Sequence, residues 1–325
     1  MSQISFLTSR IMFSVIIPLY NKAPYICRAI DSVLQQSFKD FEVIVVNDGS
    51  TDGGAEMVTH KFQDQIQVLH QSNKGVSVAR NAGIAEASGV YIAFLDADDY
   101  WHPAYLAVVD SIIQLHPEIG LIGTKYDAHK LNFSMPIRSR FVNDYWKEAI
   151  KNTLFFTSAT VMKKTFFENQ PGFDQKLKLG EDIDVWLRAY MYFGTGIYID
   201  HKLVFYNQSD LQAATSKSYA LDETLMPKLF SNQYETLAQE MNLQTRRGFY
   251  NFRERWVLFN LFSFFKRKDN QEPISNLLSR LKSRNYLVKG FYYLPFASLH
   301  HACNKAWLSK QFRNYMKFCF RHIYS

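Results

Sequence analysis

The sequence predicts an α/β protein with a Rossmann-like, mostly parallel sheet flanked by helices and a mainly helical C-terminal region. Three observations predict it. Short apolar β-branched runs alternate with helix-period segments over the first 115 residues. Polar turn clusters follow the first, second and fourth of those runs. After residue 220 the strand pattern stops and helical spacing takes over.

The elements run in order. Phe13-Ser-Val-Ile-Ile-Pro18 is apolar, β-branched and closed by proline, as a buried strand is. Residues 24–36 place Ile26, Ala29, Ile30, Val33 and Leu34 at helical spacing, with Pro24 suited to the first turn. A second strand over 41–46 stops at the turn cluster Asn47-Asp48-Gly49-Ser50-Thr51-Asp52-Gly53-Gly54. A helix over 55–62, a strand over 66–69 and a helix over 76–87 follow. A fourth strand over 90–95 ends at Asp96-Ala97-Asp98-Asp99, and a helix is expected over 103–115. Such alternation implies parallel pairing, and ligands of such sheets sit beyond the carboxyl ends of the strands, where these polar clusters fall.

Beyond residue 119 the pattern is mixed. A strand is expected over 155–162, a helix over 182–193, and two strands over 196–199 and 203–206. Residues 209–220 read as a polar loop, and helices are expected over 225–242, 248–265, 274–284 and 302–322. The domain reading is an extension over 1–12, a domain over 13–220 with halves at 13–118 and 119–220, and a helical basic region over 221–325.

Composition bounds the class. The chain has 325 residues, 47% hydrophobic and 21% charged, which supports a packed core and excludes general disorder. Cys27, Cys303 and Cys319 lack metal-ligand spacing and read as reduced thiols of a cytosolic protein. The first residues show no basic-then-apolar leader. The densest apolar stretch, 256–265, is too short to span a bilayer. The net charge of +7 is unevenly placed: 221–325 holds 17 Lys+Arg and 7 Asp+Glu, a balance of +10, so the rest carries −3. In that region Leu308, Phe312, Tyr315, Met316, Cys319, Phe320 and Ile323 form an apolar stripe beside Lys310, Arg313, Lys317 and Arg321. The stripe suits either packing on the protein or, over 299–325, contact with an anionic membrane surface. No nucleic-acid partner is expected.

The three acids Asp96, Asp98 and Asp99 repel one another unless neutralised. Hard oxygen ligands after a strand suit Mg²⁺ or Mn²⁺ bridging to substrate phosphates. They also suit the cap of the next helix or a solvated turn.

Four segments in order carry a resemblance. Phe13-Ser-Val-Ile-Ile-Pro-Leu-Tyr-Asn-Lys22, Val43-Ile-Val-Val-Asn-Asp-Gly-Ser-Thr-Asp52, Lys74-Gly-Val-Ser-Val-Ala-Arg-Asn-Ala-Gly83 and Tyr91-Ile-Ala-Phe-Leu-Asp-Ala-Asp-Asp-Tyr-Trp101 resemble family 2 of the glycosyltransferases. Gly180-Glu-Asp-Ile-Asp-Val-Trp-Leu187 is a further match. The resemblance covers about 14–206. It implies a GT-A fold and inverting, non-processive transfer from a nucleotide sugar, a UDP-sugar by preference, to a glycan or lipid-linked acceptor. It also implies a divalent cation; the cysteine usage suits a cytoplasmic protein, peripheral at the inner face of the membrane if the basic stripe meets lipid.

Carried over, Pro18 and Tyr20 line the base and ribose pocket, Asp48 bonds the base, Arg80 helps hold the nucleotide, Asp96 faces the ribose or metal, and Asp98 binds the metal. Glu181 and Asp182 supply the acceptor side, with Asp182 as the base that takes the acceptor proton. Each has a plainer structural role open to it. Acids in particular favour helix N-termini. Asp184 is expected to support the helix start, and Trp186 to be core. Some relatives carry a histidine after the late strand as a metal ligand. Here Tyr206-Asn-Gln-Ser-Asp210 has none, and His201 reads as a surface residue. A sugar nucleotidyltransferase is the competing enzyme class, but no Gly-rich basic loop follows the first strand. A catalytically degenerate nucleotide-sugar-binding module is the non-enzyme alternative.

Overall fold

The computed structural model describes residues 11–150, 154–208, 218–282 and 285–323. Most of the expected extension over 1–12, and 209–217 of the expected loop, lie outside them. Two compact units are present: 1–143 with 154–175 and 185–210, and 144–153 with 176–184 and 211–325.

The first unit holds one sheet. Its strands are β1 Phe13–Leu19, β2 Phe41–Asp48, β3 Gln67–Gln71, β4 Tyr91–Phe94, β5 Tyr100–Trp101, β6 Leu121–Asp127, β7 Ser139–Phe141, β8 Thr160–Lys163 and β9 Ile197–Phe205. The order is β3-β2-β1-β4-β8-β6-β9-β5, with β7 paired to β9. The expected parallel run is present in β3-β2-β1-β4. Beyond β4 the sheet is mixed: β8 is antiparallel to β4 and β6, β6 and β9 are parallel, and β5 and β7 are antiparallel to β9.

Helices α1 Ala23–Leu34, α2 Gly54–Phe62, α3 Val76–Glu86 and α4 Tyr105–Leu115 supply the crossovers. Phe13, Val15, Ile17 and Leu19 of β1 share a fully packed core with Ile26, Ala29, Ile30 and Val33 of α1, with Val58 of α2 and with Leu106 and Val109 of α4. Ile16, on the other face, meets α3 at Gly83, where a Cβ would lie 2.5 Å from the Ile16 side chain. Burial on both faces is why β1 and β2 read as continuous apolar runs.

The last strand corrects two expectations. The two strands foreseen over 196–206 are the single β9. His201, expected at the surface, is mid-strand and buried. Its Nε2 accepts the Arg138 amide at 2.9 Å and its ring lies edge-on to Phe133. The chain between β6 and β7 covers it, and no local pattern announces that cover.

The second unit is helical: α5 Tyr145–Ala149, α8 Leu225–Lys228, α9 Asn232–Glu240, α10 Leu243–Leu261, α11 Gln271–Arg280, α12 Tyr286–Lys289, α13 Phe296–Cys303 and α14 Ala306–Phe318. Two further helices are α6 Thr165–Asn169, in the first unit, and α7 Glu181–Phe193, within which the boundary between the units falls.

Helix ends differ from expectation for identifiable reasons. Asn242, read as the end of one helix, instead caps α10 by accepting the Thr245 amide at 2.9 Å. Gly248, read as a helix start, lies inside α10, where a Cβ would sit 2.8 Å from Trp146. The expected helix over 302–322 is broken at Asn304-Lys305 between α13 and α14.

The aromatic surplus is largely spent on packing. Trp146 meets Phe249 and Phe252, and Phe312 stacks on Phe291 at 4.1 Å beside Phe262. Phe312, Met316, Cys319 and Phe320 of the expected stripe are buried. Cys27, Cys303 and Cys319 carry free thiols. Among the described residues no helix is long and apolar enough to cross a membrane.

Candidate functional site

In the order β3-β2-β1-β4 the chain leaves β1 in opposite directions, which makes the carboxyl ends of β1 and β4 the switch point where such sheets bind ligands. The residues around that edge are tied together by polar side chains.

Pro18 is half-buried and lies opposite Val46 in the β1–β2 register, and Tyr20 follows the strand as an exposed ring. Asn21 adopts the left-handed region at φ 51°. Its Oδ1 accepts the Thr51 amide at 2.8 Å, and its own amide donates to Ser50 Oγ at 3.2 Å. Asp52 accepts from the amides of Ala23 and Gly54 at 2.8 and 3.0 Å, so one carboxylate serves the N-termini of α1 and α2. The turn cluster after β2 is thus a clamp between two loops.

Asp48, the last residue of β2, is buried. Its Oδ1 accepts from Gln71 Nε2 at 2.6 Å and from the Lys74 amide at 2.8 Å, and its Oδ2 accepts the Gly75 amide at 2.8 Å. A carboxylate has about four acceptor positions, so these three bonds leave room for one more donor at Oδ2. Gly49 follows at φ +74°, where a Cβ would meet the Asn73 amide nitrogen at 2.8 Å. Only glycine permits that approach together with that backbone.

After β4 the three acids have three environments. Asp96 accepts from Arg80 at 2.8 Å, and the buried guanidinium lies 5.1 Å from the Phe173 ring centre. Asp98 pairs with Lys22 Nζ at 2.6 Å, and its carbonyl accepts from Arg28 at 3.0 Å. Burial pushes the Asp98 carboxyl up, Lys22 opposes that, and the Asp96 charge adds to it. Asp99 is 1% exposed and is pushed up to about 8, by burial first and by Asp96 next. It accepts from Ser158 Oγ at 2.5 Å and from the Asn207 amide at 2.8 Å, while Ser158 Oγ accepts the Asp96 amide at 3.0 Å. Asp99 is therefore a structural anchor. Asp96 and Asp98 are the acids set against cations.

The donor chemistry of this loop fits a small dication, because two carboxylates of which one is partly desolvated gain from a hard cation. Among the described residues no group of three or more His, Cys, Asp and Glu side chains is arranged to hold a metal. The chain would offer Asp98, with Asp96 beside it.

In the second unit Gly180, at φ +84°, opens α7, and a Cβ there would sit 3.0 Å from Leu225 Cβ. Glu181 and Asp182 occupy the first turn, half-buried, and Asp182 Oδ1 accepts the Ile183 amide at 2.7 Å. Acids there are favoured by the helix dipole. Asp184 does more than support the helix start. It is fully buried, pairs with Lys228 at 3.0 Å and accepts from Tyr234 Oη at 2.9 Å. Trp186 is core, as expected, buried against Phe94 and Phe173.

Of the residues carried over from the resemblance, Arg80 and Asp96 are in direct contact, and Asp96 and Asp98 feel each other's charge. Pro18, Tyr20 and Asp48 lie at the same sheet edge. Sequence reasoning gave no role to Lys22, Arg28, Ser158 or Asn207. Lys22 carried a signal, a cation just past the first strand in a site of acids. Ser158 and Asn207 carried none.

Known proteins agree with this architecture. Residues 14–173 match the model of glycosyl transferase family 2. An uncharacterized glycosyltransferase of Nostoc is 43% identical over 112 residues, 34% of this chain and 35% of that protein, so the chain spans about a third of that relative. An uncharacterized glycosyltransferase of Rickettsia prowazekii is 30% identical over 225 residues, 65% of this chain and 68% of that protein. The crystal structure of S. aureus TarS 1-349 in complex with UDP-GlcNAc superposes with a TM-score of 0.68 at 20% identity, over 95% of this chain and 91% of that one. By the family match, by the Rickettsia relative and by its fold, the chain belongs to glycosyl transferase family 2 and has the GT-A architecture.

Proposed function

We propose that the chain transfers a sugar, with inversion and one residue at a time, from a UDP-sugar to a hydroxyl of a glycan or lipid-linked acceptor, as cell-surface polysaccharide assembly requires. The carrying observation is the end of β4: Asp96 and Asp98, each opposed by a cation, lie at the switch point of the sheet. The UDP-GlcNAc held by TarS supports a uridine donor.

In this reading 13–220 is the catalytic domain, with a nucleotide half at 13–118 and an acceptor half at 119–220, and 221–325 is a helical accessory region. Pro18 and Tyr20 line the base and ribose, and Asp48 accepts a hydrogen bond from the base. Arg80 fixes Asp96 toward the ribose, and Asp98 would hold Mn²⁺ or Mg²⁺. The ion, when bound, offsets the charge of the diphosphate. Asp182 takes the proton of the acceptor hydroxyl, and Glu181 assists at the same helix start. A cytoplasmic position at the inner face of a membrane suits a lipid-linked acceptor.

Product formation from a panel of nucleotide sugars, read by mass spectrometry with Mn²⁺, tests this. Asp98→Ala is expected to abolish transfer without unfolding the chain. Asp182→Asn is expected to lower kcat on the order of a hundredfold or more while leaving donor affinity unchanged. Normal turnover of Asp98→Ala in chelator would remove the metal role. Normal turnover of Asp182→Asn would move the base elsewhere.

A further inference from the structure

The last 53 residues, 273–325, contain nine Lys and Arg and no Asp or Glu. They also carry Tyr286, Leu287, Tyr293, Leu294, Trp307, Tyr315, Phe318 and Ile323 as exposed large apolar side chains. Only Tyr315 and Ile323 of these belong to the apolar stripe that the sequence singles out, and its centre at Phe312 and Met316 is turned into the unit.

The opposite face of α14 is different. Trp307 is 67% exposed and Phe318 55%. Eleven residues apart, they fall within about 20° of one line along a helix of 3.6 residues per turn. Lys310 and Lys317 lie beside that line on one flank. Tyr315 lies on the other, and its Oη donates to the Leu287 carbonyl at 3.1 Å. That bond sets α12, with Tyr286 72% exposed and Leu287 exposed, along the same flank.

We propose that this outer face of α14, with α12 beside it, docks on an anionic lipid surface. Charge and chemistry select that occupant. Lys310 and Lys317 beside the aromatic line, in a segment whose sequence has no Asp or Glu, suit a surface of fixed negative charge. Trp and Tyr suit the interfacial layer, and lysine stems can lie along the apolar surface with their ammonium groups at the phosphates. The exposed aliphatic side chain of Leu287 suits hydrocarbon and gives a nucleic acid nothing to read. The inference extends the lipid-linked acceptor reading by giving it a place. Vesicle binding is measured without donor or acceptor, so the two can fail separately.

The test is co-sedimentation of the full chain with extruded vesicles of phosphatidylcholine alone and of phosphatidylcholine with phosphatidylglycerol. Binding to the anionic vesicles is expected to be at least tenfold tighter and to weaken as salt is raised. Trp307→Ala with Phe318→Ala is expected to reduce it tenfold or more, with the circular dichroism and UDP affinity of the wild type retained. Lys310→Gln with Lys317→Gln is expected to reduce the preference for anionic lipid. Equal binding to the two vesicles overturns the proposal, as does no binding to either or unchanged binding by the Trp307/Phe318 variant. A concentration-dependent dimer that Trp307→Ala abolishes overturns it too, because a second copy then owns the face.

Discussion

Asp184→Ala removes a carboxylate with no exposure to water. Lys228 and Tyr234 are among the groups that lose by it. Lys228 loses its counter-ion at 3.0 Å while its own side chain is only 17% exposed, and Tyr234 Oη loses the acceptor at 2.9 Å. Tyr234 keeps the Asp184 carbonyl at 3.3 Å, which the substitution leaves in place. Breaking a buried ion pair from one side costs about 3–5 kcal/mol, and partial access of water to Lys228 places this case near the lower end. The hydroxyl adds about 1 kcal/mol at most, because its second acceptor survives. A loss of about 3 kcal/mol corresponds to a fall in Tm on the order of 10 °C for a cooperative unit of this size. Thermal unfolding by circular dichroism reads it directly. Lys228→Met alone is expected to destabilise as well, and the double variant less than the sum, with a coupling of at least about 1 kcal/mol in the cycle. A Tm for Asp184→Ala within 1–2 °C of wild type, or strict additivity of the two changes, refutes the reasoning. The result also bears on the proposed catalysis: loss of activity in an Asp184 variant would report the fold of the α7 start, and the proposed base is tested by Asp182 and Glu181 variants.

Two further outcomes follow from the carboxyl edge of the sheet. Asp48→Ala is expected to weaken UDP binding by about 1.5–3 kcal/mol, roughly tenfold to 150-fold in Kd, since a charged acceptor and the anchor of Lys74 and Gly75 go together; calorimetry with Mn²⁺ present measures it, and unchanged affinity refutes it. Asp99 has its carboxyl raised from 3.8 to about 8 in the folded chain, so its contribution is complete below about 3.8 and is lost as pH rises toward 8. In chelator, wild type is therefore expected to lose denaturant stability between pH 5 and pH 8.5, and Asp99→Asn to lose less; parallel profiles refute the assignment.

What the sequence made legible was whatever depends on neighbours within one element. The parallel run β1-β2-β4 was readable because burial on both faces leaves unbroken Val and Ile, and α1 because Ile26, Ala29, Ile30 and Val33 return at helical spacing. The antiparallel entry of β8 beside β4 was not, since a buried apolar strand looks the same in either direction. His201 failed for a related reason. A lone polar residue in a strand reads as exposed, and here the cover comes from the segment before β7. The break before α10 was misread because Asn serves equally at a helix end and at an N-cap, and Trp146, which makes Gly248 useful inside the helix, lies about a hundred residues away.

The acid loop after β4 shows the same division within four residues. Asp96, Ala97, Asp98 and Asp99 are adjacent in the chain, and their spacing alone gives the acids equal standing as ligands; only the family resemblance singles out Asp98. Their partners sort them. Arg80 is 16 residues back, Lys22 is 76 back, Ser158 is 59 ahead of Asp99 and Asn207 is 108 ahead. Asp99 spends both oxygens on Ser158 and Asn207 and is desolvated, so it fixes the loop. Asp98 faces the Lys22 ammonium, a point charge on a four-carbon stem. Asp96 faces a guanidinium held against Phe173, a partner that stays where it is. One acid locked inside and two set against cations thus hold the loop to four segments far apart in the chain.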